Sequence, residues 1–350
     1  MSETLSWSET LSVLLASGNL SMDHASWCMN EIVSGHATDA QLAGFLVALR
    51  AKGEVVDEVL GFQEAILRNA LPIEISRRAL DIVGTGGDQH KTINVSTTAA
   101  IVCASLGVPV IKHGNRAASS ASGSSDVLRA LGVNLDLDPS EVVSVFESTG
   151  IAFIFASAFH PGFKFAAATR SQLGIPTVFN ILGPLCNPAR PQASAIGVAS
   201  MDRVPLIVGV LQNANQTSLV LRGDNGLDEL SVSGHSHVWE VSRGAVYEHT
   251  IHPSDFGIDI ASLDDIRGGT PDQNAEFTLH ILRGERGAMS DVVALNAAAG
   301  LVAFELSENS ELVEEPFVHR LSDALARVRR VLEDGTAANK LSEWIRFSHR

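Results

Sequence analysis

Three cysteines are all that 350 residues hold, and Cys28, Cys103 and Cys186 lie far apart with no CxxC spacing. An odd, scattered set builds neither a disulfide framework nor a thiolate zinc site. Basic residues are also short: 25 Lys and Arg stand against 40 Asp and Glu, for a formal net charge of -15. Such a surface repels nucleic-acid phosphates and anionic membranes, so any anion site has to be local. No long hydrophobic run occurs. The most apolar stretch, 99–111, is interrupted by Gly107 and Pro109, short of the roughly 18 residues of a membrane span. The first ten residues are polar and acidic, unlike a signal peptide. Internal repeats, low-complexity segments and long linkers are missing too. Together these absences point to a cytoplasmic chain with no nucleic-acid or membrane partner.

What is present is globular: 45% hydrophobic and 19% charged residues, enough chain for one large domain or two ordinary ones. The first 70 or so residues read as helices. Thr38 caps a run whose apolar face is Leu42, Phe45, Leu46 and Leu49, and Gly53 ends it. Val56, Val59, Leu60, Ile66 and Leu67 mark a second amphipathic run. The pattern changes at Asp81. Asp81-Ile82-Val83 reads as a short apolar strand entering Gly84-Thr85-Gly86-Gly87-Asp88, followed by a helix over 96–106 and a strand over 108–111. A strand, loop, helix, strand unit favours a parallel sheet. Further strands are predicted at 152–156, 194–199, 218–221 and 238–241, with closing helices at 291–305 and 318–332. Segment 160–174 is helical in pattern, and 176–188 is rich in Pro, Gly and Asn. The fold class is α/β: a small helical domain, then a larger domain with a mostly parallel central sheet, and a ligand cleft between them.

The glycine loop matches neither the GxGxxG fingerprint nor a Walker loop, so a nucleotide fold of either kind is unsupported. Its position between strand and helix still suits an anion. Glycines let backbone N–H groups approach closely, and Asn94, Ser96 and Thr97 lie near a helix start. Lys112-His113-Gly114-Asn115-Arg116 follows the second strand, at the end where α/β sites are built. Ser119, Ser120, Ser122 and Ser124 add hydroxyls. Taken singly each is an ordinary polar loop residue; taken with the glycine loop they make a polyphosphate cradle. Asp228-Glu229 is an adjacent carboxylate pair of the kind that binds Mg²⁺, although acids on a turn are also commonplace. Arg170 offers a planar fork for a carboxylate. His113 and His160 fit substrate contact better than proton transfer.

These segments, in this order, resemble the anthranilate phosphoribosyltransferase family. The matching stretches are DIVGTGGD at 81–88, NVST at 94–97, KHGNRAASSASGSSDVL at 112–128, GIPTVFNILGPLCNP at 174–188 and GLDEL at 226–230. The resemblance implies transfer of the phosphoribosyl group of 5-phosphoribosyl 1-diphosphate to anthranilate, a step of tryptophan biosynthesis. It implies that Gly84, Gly87, Asp88, Thr92, Asn94, Val95, Ser96 and Thr97 hold the donor. Lys112, His113, Gly114, Asn115, Arg116, Ala117, Ala118, Ser119, Ser120 and Ser124 would wrap the rest of it. Anthranilate would meet Gly84, Asn115, His160, Arg170, Gly183 and Pro184. Two Mg²⁺ ions per monomer are expected, one on Ser96 and one on Asp228 with Glu229; no residue is assigned as a catalytic acid or base. The implied fold is of the nucleoside phosphorylase/phosphoribosyltransferase type, a helical domain of 1–76 with inserted segment 165–190, and a large domain of 77–164 and 191–350. A homodimer is expected. Gln89 stands where the family often has Gly, Cys186 where it often has Thr, and Gly162 where Ala or Ser is commoner. The nearest rival is a pyrimidine nucleoside phosphorylase on the same fold. A nucleic-acid-binding relative would need a basic stripe that this charge balance does not offer.

Overall fold

A computed structural model describes residues 5–116 and 122–350. Four helices open the chain: α1 (Trp7–Leu15), α2 (Met22–Val33), α3 (Asp39–Lys52) and α4 (Val56–Arg68). At the start of α3 the Gln41 amide donates to Thr38 Oγ1 at 3.3 Å, and the Thr38 amide donates to Gln41 Oε1 at 2.9 Å. This reciprocal cap satisfies two otherwise free donors. Gly53, at φ +88°, ends the helix. The Leu42, Phe45, Leu46 and Leu49 face is buried against Met29, Ile32 and Phe62.

Seven strands form one sheet: β1 (Leu80–Gly84), β2 (Val110–Gly114), β3 (Ile151–Phe155), β4 (Ala193–Gly197), β5 (Thr217–Gly223), β6 (Ser236–Ser242) and β7 (Ala245–Ile251). Their order is β3-β2-β1-β4-β5-β6-β7, parallel as far as β5 and antiparallel beyond it. The first four strands are buried almost without alternation, as expected of parallel strands covered on both faces. Register brings Gly84 beside Gly197 and Gly114 beside Phe155. The C-terminal ends of the parallel strands therefore share one edge, where ligands bind in such sheets.

The sheet separates two apolar cores. One packs the helices Val95–Ser105, Ala288–Glu308 and Phe317–Glu333 against Leu80, Ile82, Val110 and Ile111. The other joins α1–α4 and residues 178–186 to Val83, Ile196, Val198 and Val220. The helix Val204–Asn213 covers β5 and β6 on this face, α4 packs against that helix, and a buried Arg203–Glu54 ion pair ties the two together.

Four readings need correction. The edge strand β7 is additional to the predicted strands, because Tyr247, Glu248, His249 and Thr250 give no apolar alternation on so exposed a strand. The helices Ser124–Ala130, Pro139–Thr149, Val204–Asn213, Pro271–Leu282 and Thr336–Ser348 are also additional. Asp81 lies inside the strand read as apolar and is 1% exposed. Finally, the helix Ala288–Glu308 is apolar and long enough to cross a membrane by length and composition, but its Val292, Leu295, Ala299 and Val302 are packed in the core.

Candidate active site

β1 ends in the glycine loop. Gly86 and Gly87 have φ +65° and +84°, conformations that L side chains rarely adopt, and both are exposed. The Gly86 N–H donates to Asp228 Oδ2 at 2.7 Å. Gln89 has φ +63°, a conformation that glycine adopts more readily. The helix Val95–Ser105 then presents its first turn toward the same edge. The Thr97 hydroxyl is buried there with no hydrogen-bond partner among the described residues. The Asn94 side chain is already occupied: its Nδ2 donates to the Ser122 carbonyl at 3.2 Å and its Oδ1 accepts from Asn274 at 2.8 Å. Backbone N–H groups, the hydroxyls and the remaining Asn94 Nδ2 hydrogen are left in this turn to meet an anion. Thr92 pairs with Arg267 in a short antiparallel bridge beside it.

Asp228 and Glu229 follow β5. Buried Leu227 and Leu230 flank the pair. Asn296 accepts from the Leu230 N–H at 2.9 Å and donates to its carbonyl at 2.9 Å. Asp88, Asp228 and Glu229 each bring a carboxylate oxygen within 4.8 Å of the other two. Asp88 Oδ2 and Glu229 Oε2 are buried without a hydrogen-bond partner among the described residues. Burial pushes all three acids up, and neighbouring carboxylates add to it at the pair, taking Asp228 to about 6 and Glu229 well above its ordinary value. Crowded carboxylates with unpartnered oxygens of this kind fit a hard divalent cation.

From β2 comes Lys112, 1% exposed, whose ammonium donates to the Ile82 carbonyl and lies 3.4 Å from Ser96 Oγ. Burial pulls its pKa down to about 8, against the attraction of Asp81, Glu229 and Asp228. Its charge lies beneath the cradle, held by β1 and the helix start. Asn115 is exposed and accepts from the Ser157 hydroxyl at 2.8 Å, and Arg116 lies over the Phe155 ring. Gly114 faces Phe153 and Ser124, leaving no room for a side chain. Ala117, Ala118, Ser119 and Ser120 lie outside the described residues.

On the acceptor side, His113 Nδ1 is 3.1 Å from the Gly183 carbonyl. The His113 and His160 rings are 5.2 Å apart, and His160 stacks on Phe163. Burial drives His113 down to about 3 and His160 to about 4, so both imidazoles are neutral near pH 7. Arg170, on the helix Lys164–Leu173, lies 4.8 Å over the Phe179 ring. Among the described residues it has no carboxylate partner. Gly162 packs against Val33 so closely that a Cβ would clash, which accounts for glycine there. Pro184 lines a cavity of about 560 Å³ with Leu60, Leu67 and residues at the N-terminal ends of β4 and β5.

Sequence reasoning overlooked several residues that hold this edge together. Gly197 must lack a side chain because the Asp228 carbonyl occupies the space. Asn274 and Asn296 fix Asn94 and Leu230. His90 reaches the Asn225 carbonyl at 2.9 Å, tying the glycine loop to the acidic turn. None follows from local pattern, because each acts on a residue far away in the chain.

Residues 8–70 match the helical bundle domain of a glycosyl transferase family, and residues 76–338 match its a/b domain. A protein of Leifsonia xyli subsp. xyli named anthranilate phosphoribosyltransferase is 59% identical over 345 residues, 99% of each chain. The protein of that name from Clavibacter michiganensis subsp. michiganensis is 52% identical over 97% of each chain. Among solved structures, the anthranilate phosphoribosyltransferase of Thermus thermophilus superposes with a TM-score of 0.89 at 37% identity, covering 97% of this chain and 99% of its own. The Saccharomyces cerevisiae enzyme in complex with PRPP and Mg gives 0.87 at 26% identity, covering 98% of each. With the matched models spanning both parts of the fold and the likeness running end to end, the chain belongs to the anthranilate phosphoribosyltransferase family.

Proposed function

We propose that this chain joins the phosphoribosyl group of 5-phosphoribosyl 1-diphosphate to the amine of anthranilate and releases diphosphate. The observation that carries the reading is a glycine loop with bare backbone, joined at one sheet edge by the Gly86–Asp228 contact to an acidic cluster with unpartnered oxygens. Arg170, a guanidinium without a carboxylate partner among the described residues, connects to the end of β2 through the Phe179, Phe163, His160 and His113 rings. The glycine loop and the first turn of helix Val95–Ser105 hold the diphosphate and phosphate, and Lys112, with the residues through Ser120 and Ser124, encloses the ribose end. Arg170 takes the anthranilate carboxylate, while Asn115, His160, Gly183 and Pro184 shape the approach.

The anthranilate nitrogen bonds to the anomeric carbon as the carbon–oxygen bond to diphosphate breaks. Positive charge builds on the ribose and negative charge on the leaving group. Ser96 would hold one Mg²⁺ and Asp228 with Glu229, beside Asp88, a second; bound there, the ions would neutralise that negative charge. The chain's own residues orient: Arg170 and the 183–184 segment aim the amine, and the two domains, 1–76 with 165–190 and 77–164 with 191–350, enclose both substrates. An aryl ammonium formed on attack is acidic enough to lose its proton without a strong base. Neutral His113 and His160 therefore serve as contacts. The chain works as a cytoplasmic homodimer in this reading.

Loss of anthranilate fluorescence on adding 5-phosphoribosyl 1-diphosphate, dependent on Mg²⁺, tests the reaction. No loss, with phosphate-driven release of a base from a pyrimidine nucleoside, would hand the site to the phosphorylase reading. Arg170→Ala should raise the anthranilate KM about 10- to 100-fold, the worth of one charge-assisted contact, with little change in the KM for the donor. Steady-state kinetics with each substrate varied decides it; an unchanged anthranilate KM removes Arg170 from the role.

A further inference from the structure

A buried carboxylate in the middle of an apolar parallel strand is costly unless each oxygen is satisfied. Asp81 is such a group, and neither the donor cradle nor the acid cluster includes it. Its Oδ1 accepts from the His113 N–H at 3.1 Å, and its Oδ2 accepts from Asn187 Nδ2 at 2.9 Å. Asn187 is itself 5% exposed and its amide is fully used. The same Nδ2 donates to the Ile111 carbonyl at 2.9 Å, and Oδ1 accepts from the Ala189 N–H at 3.0 Å. On the far side of the turn, His113 Nδ1 meets the Gly183 carbonyl. Residues 183–189 are thus clamped at two points to β2, the strand that delivers Lys112 and Asn115, with Asp81 of β1 as the common anchor.

We infer that Asp81 and Asn187 are positioning residues that lock the acceptor-side segment 183–189 to the donor-side strand β2, setting the distance between amine and anomeric carbon. The inference rests on the transferase reading given above. Neither residue is among the proposed substrate contacts, and both are buried with protein partners. Their hydrogen bonds cross between the two halves of the site, whereas an apolar pair of the same size would fill the space without fixing the register of one half against the other. A network of this kind specifies geometry more than it adds stability.

The test is Asn187→Ser, which shortens the side chain and releases Asp81 while keeping the turn polar. Three quantities are measured on the full-length protein. These are the affinity for 5-phosphoribosyl 1-diphosphate with Mg²⁺ by calorimetry, the KM for anthranilate, and the ratio of diphosphate released to phosphoribosylanthranilate formed. Donor affinity should stay within about threefold, while the anthranilate KM rises about tenfold or more. The ratio should climb above one, because water intercepts a bound donor whose acceptor is misaligned. A purely structural role would instead lower the melting temperature and active fraction, leaving KM and ratio at wild-type values; that result overturns the inference. Should the variant not fold, hydrogen exchange on the wild type decides. Donor binding should slow amide exchange in 186–190 together with 110–114, and protection confined to 110–114 overturns the coupling. A wild type that makes no product from anthranilate would sink the transferase reading, and this inference with it. An active wild type with an unmoved variant sinks this inference alone.

Discussion

Replacing Asp228 by Asn and Glu229 by Gln should lower kcat by about 10²–10³-fold, the scale seen when transition-state charge loses a preorganised partner. The shape of the turn should survive, because Leu227 and Leu230 bury their side chains and Asn296 holds the Leu230 backbone on both sides. The Gly86 N–H contact to Asp228 Oδ2 can be kept by an amide oxygen. What disappears is charge. The Mg²⁺ dependence of the residual activity should move to higher concentration, since only substrate phosphates remain to recruit the ion. In the wild type, the donor and Mg²⁺ should strengthen each other's binding by equal factors. A double variant with full activity and an unchanged Mg²⁺ profile would reduce the pair to a solvated acidic turn.

The same pair gives a pH signature whose sign follows from burial. Asp228 is raised from 3.8 to about 6, and Glu229 is raised well above 4.5, by desolvation first and then by neighbouring carboxylates. Acids harder to ionise in the folded state destabilise it once ionised. Their penalty is absent below the unfolded values near 4, grows as pH rises toward the folded values, and is complete above them. Without ligands the wild type should therefore lose melting temperature between about pH 4 and the folded range from 6 upward, relative to the double amide variant. Mg²⁺ binding should strengthen over the same range, because the metal displaces protons. Parallel melting curves of the two proteins would contradict the assignment of strain to these acids.

How much of this was legible in the sequence depended on how local each signal was. Thr38, the apolar face of α3 and Gly53 are a cap, a stripe and a stop within one helix, and were readable. So were the parallel strands, which are short apolar runs beside turn residues. β7 was not, because an exposed edge strand can carry Glu248, His249 and Thr250 without cost. Asp81 was readable only as part of its strand. Its partners are an amide 32 residues away and an asparagine 106 residues away, separations along the chain that no periodicity reports. The sequence motifs supplied the candidate residues for substrate contact. The glycines and asparagines that hold those motifs in place became visible only when the strands were set side by side.

Three glycines around Asp228 should fail in a fixed order. Gly197 stands in register with Gly84, and a Cβ there would overlap the Asp228 carbonyl, a backbone atom that cannot rotate away. Gly197→Ala should cost about 1–3 kcal/mol of stability as an overpacked site. By pushing the acidic turn outward, it should lower activity about 10²-fold. A Cβ on Gly84 would meet the Asp228 carboxylate instead. That end of a side chain can swing, so Gly84→Ala should spare the fold but break the Gly86 contact and weaken Mg²⁺ binding. Gly86 has open space around its Cβ position but φ +65°. Gly86→Ala should therefore cost about 1–2 kcal/mol of backbone strain and have the smallest effect on the metal. Melting temperature, kcat and Mg²⁺ affinity measured across the three variants test the series. Equal losses of Mg²⁺ affinity in Gly84→Ala and Gly86→Ala would mean that the carboxylate's place is set by the loop backbone alone, and not by the space that Gly84 and Gly197 leave for it.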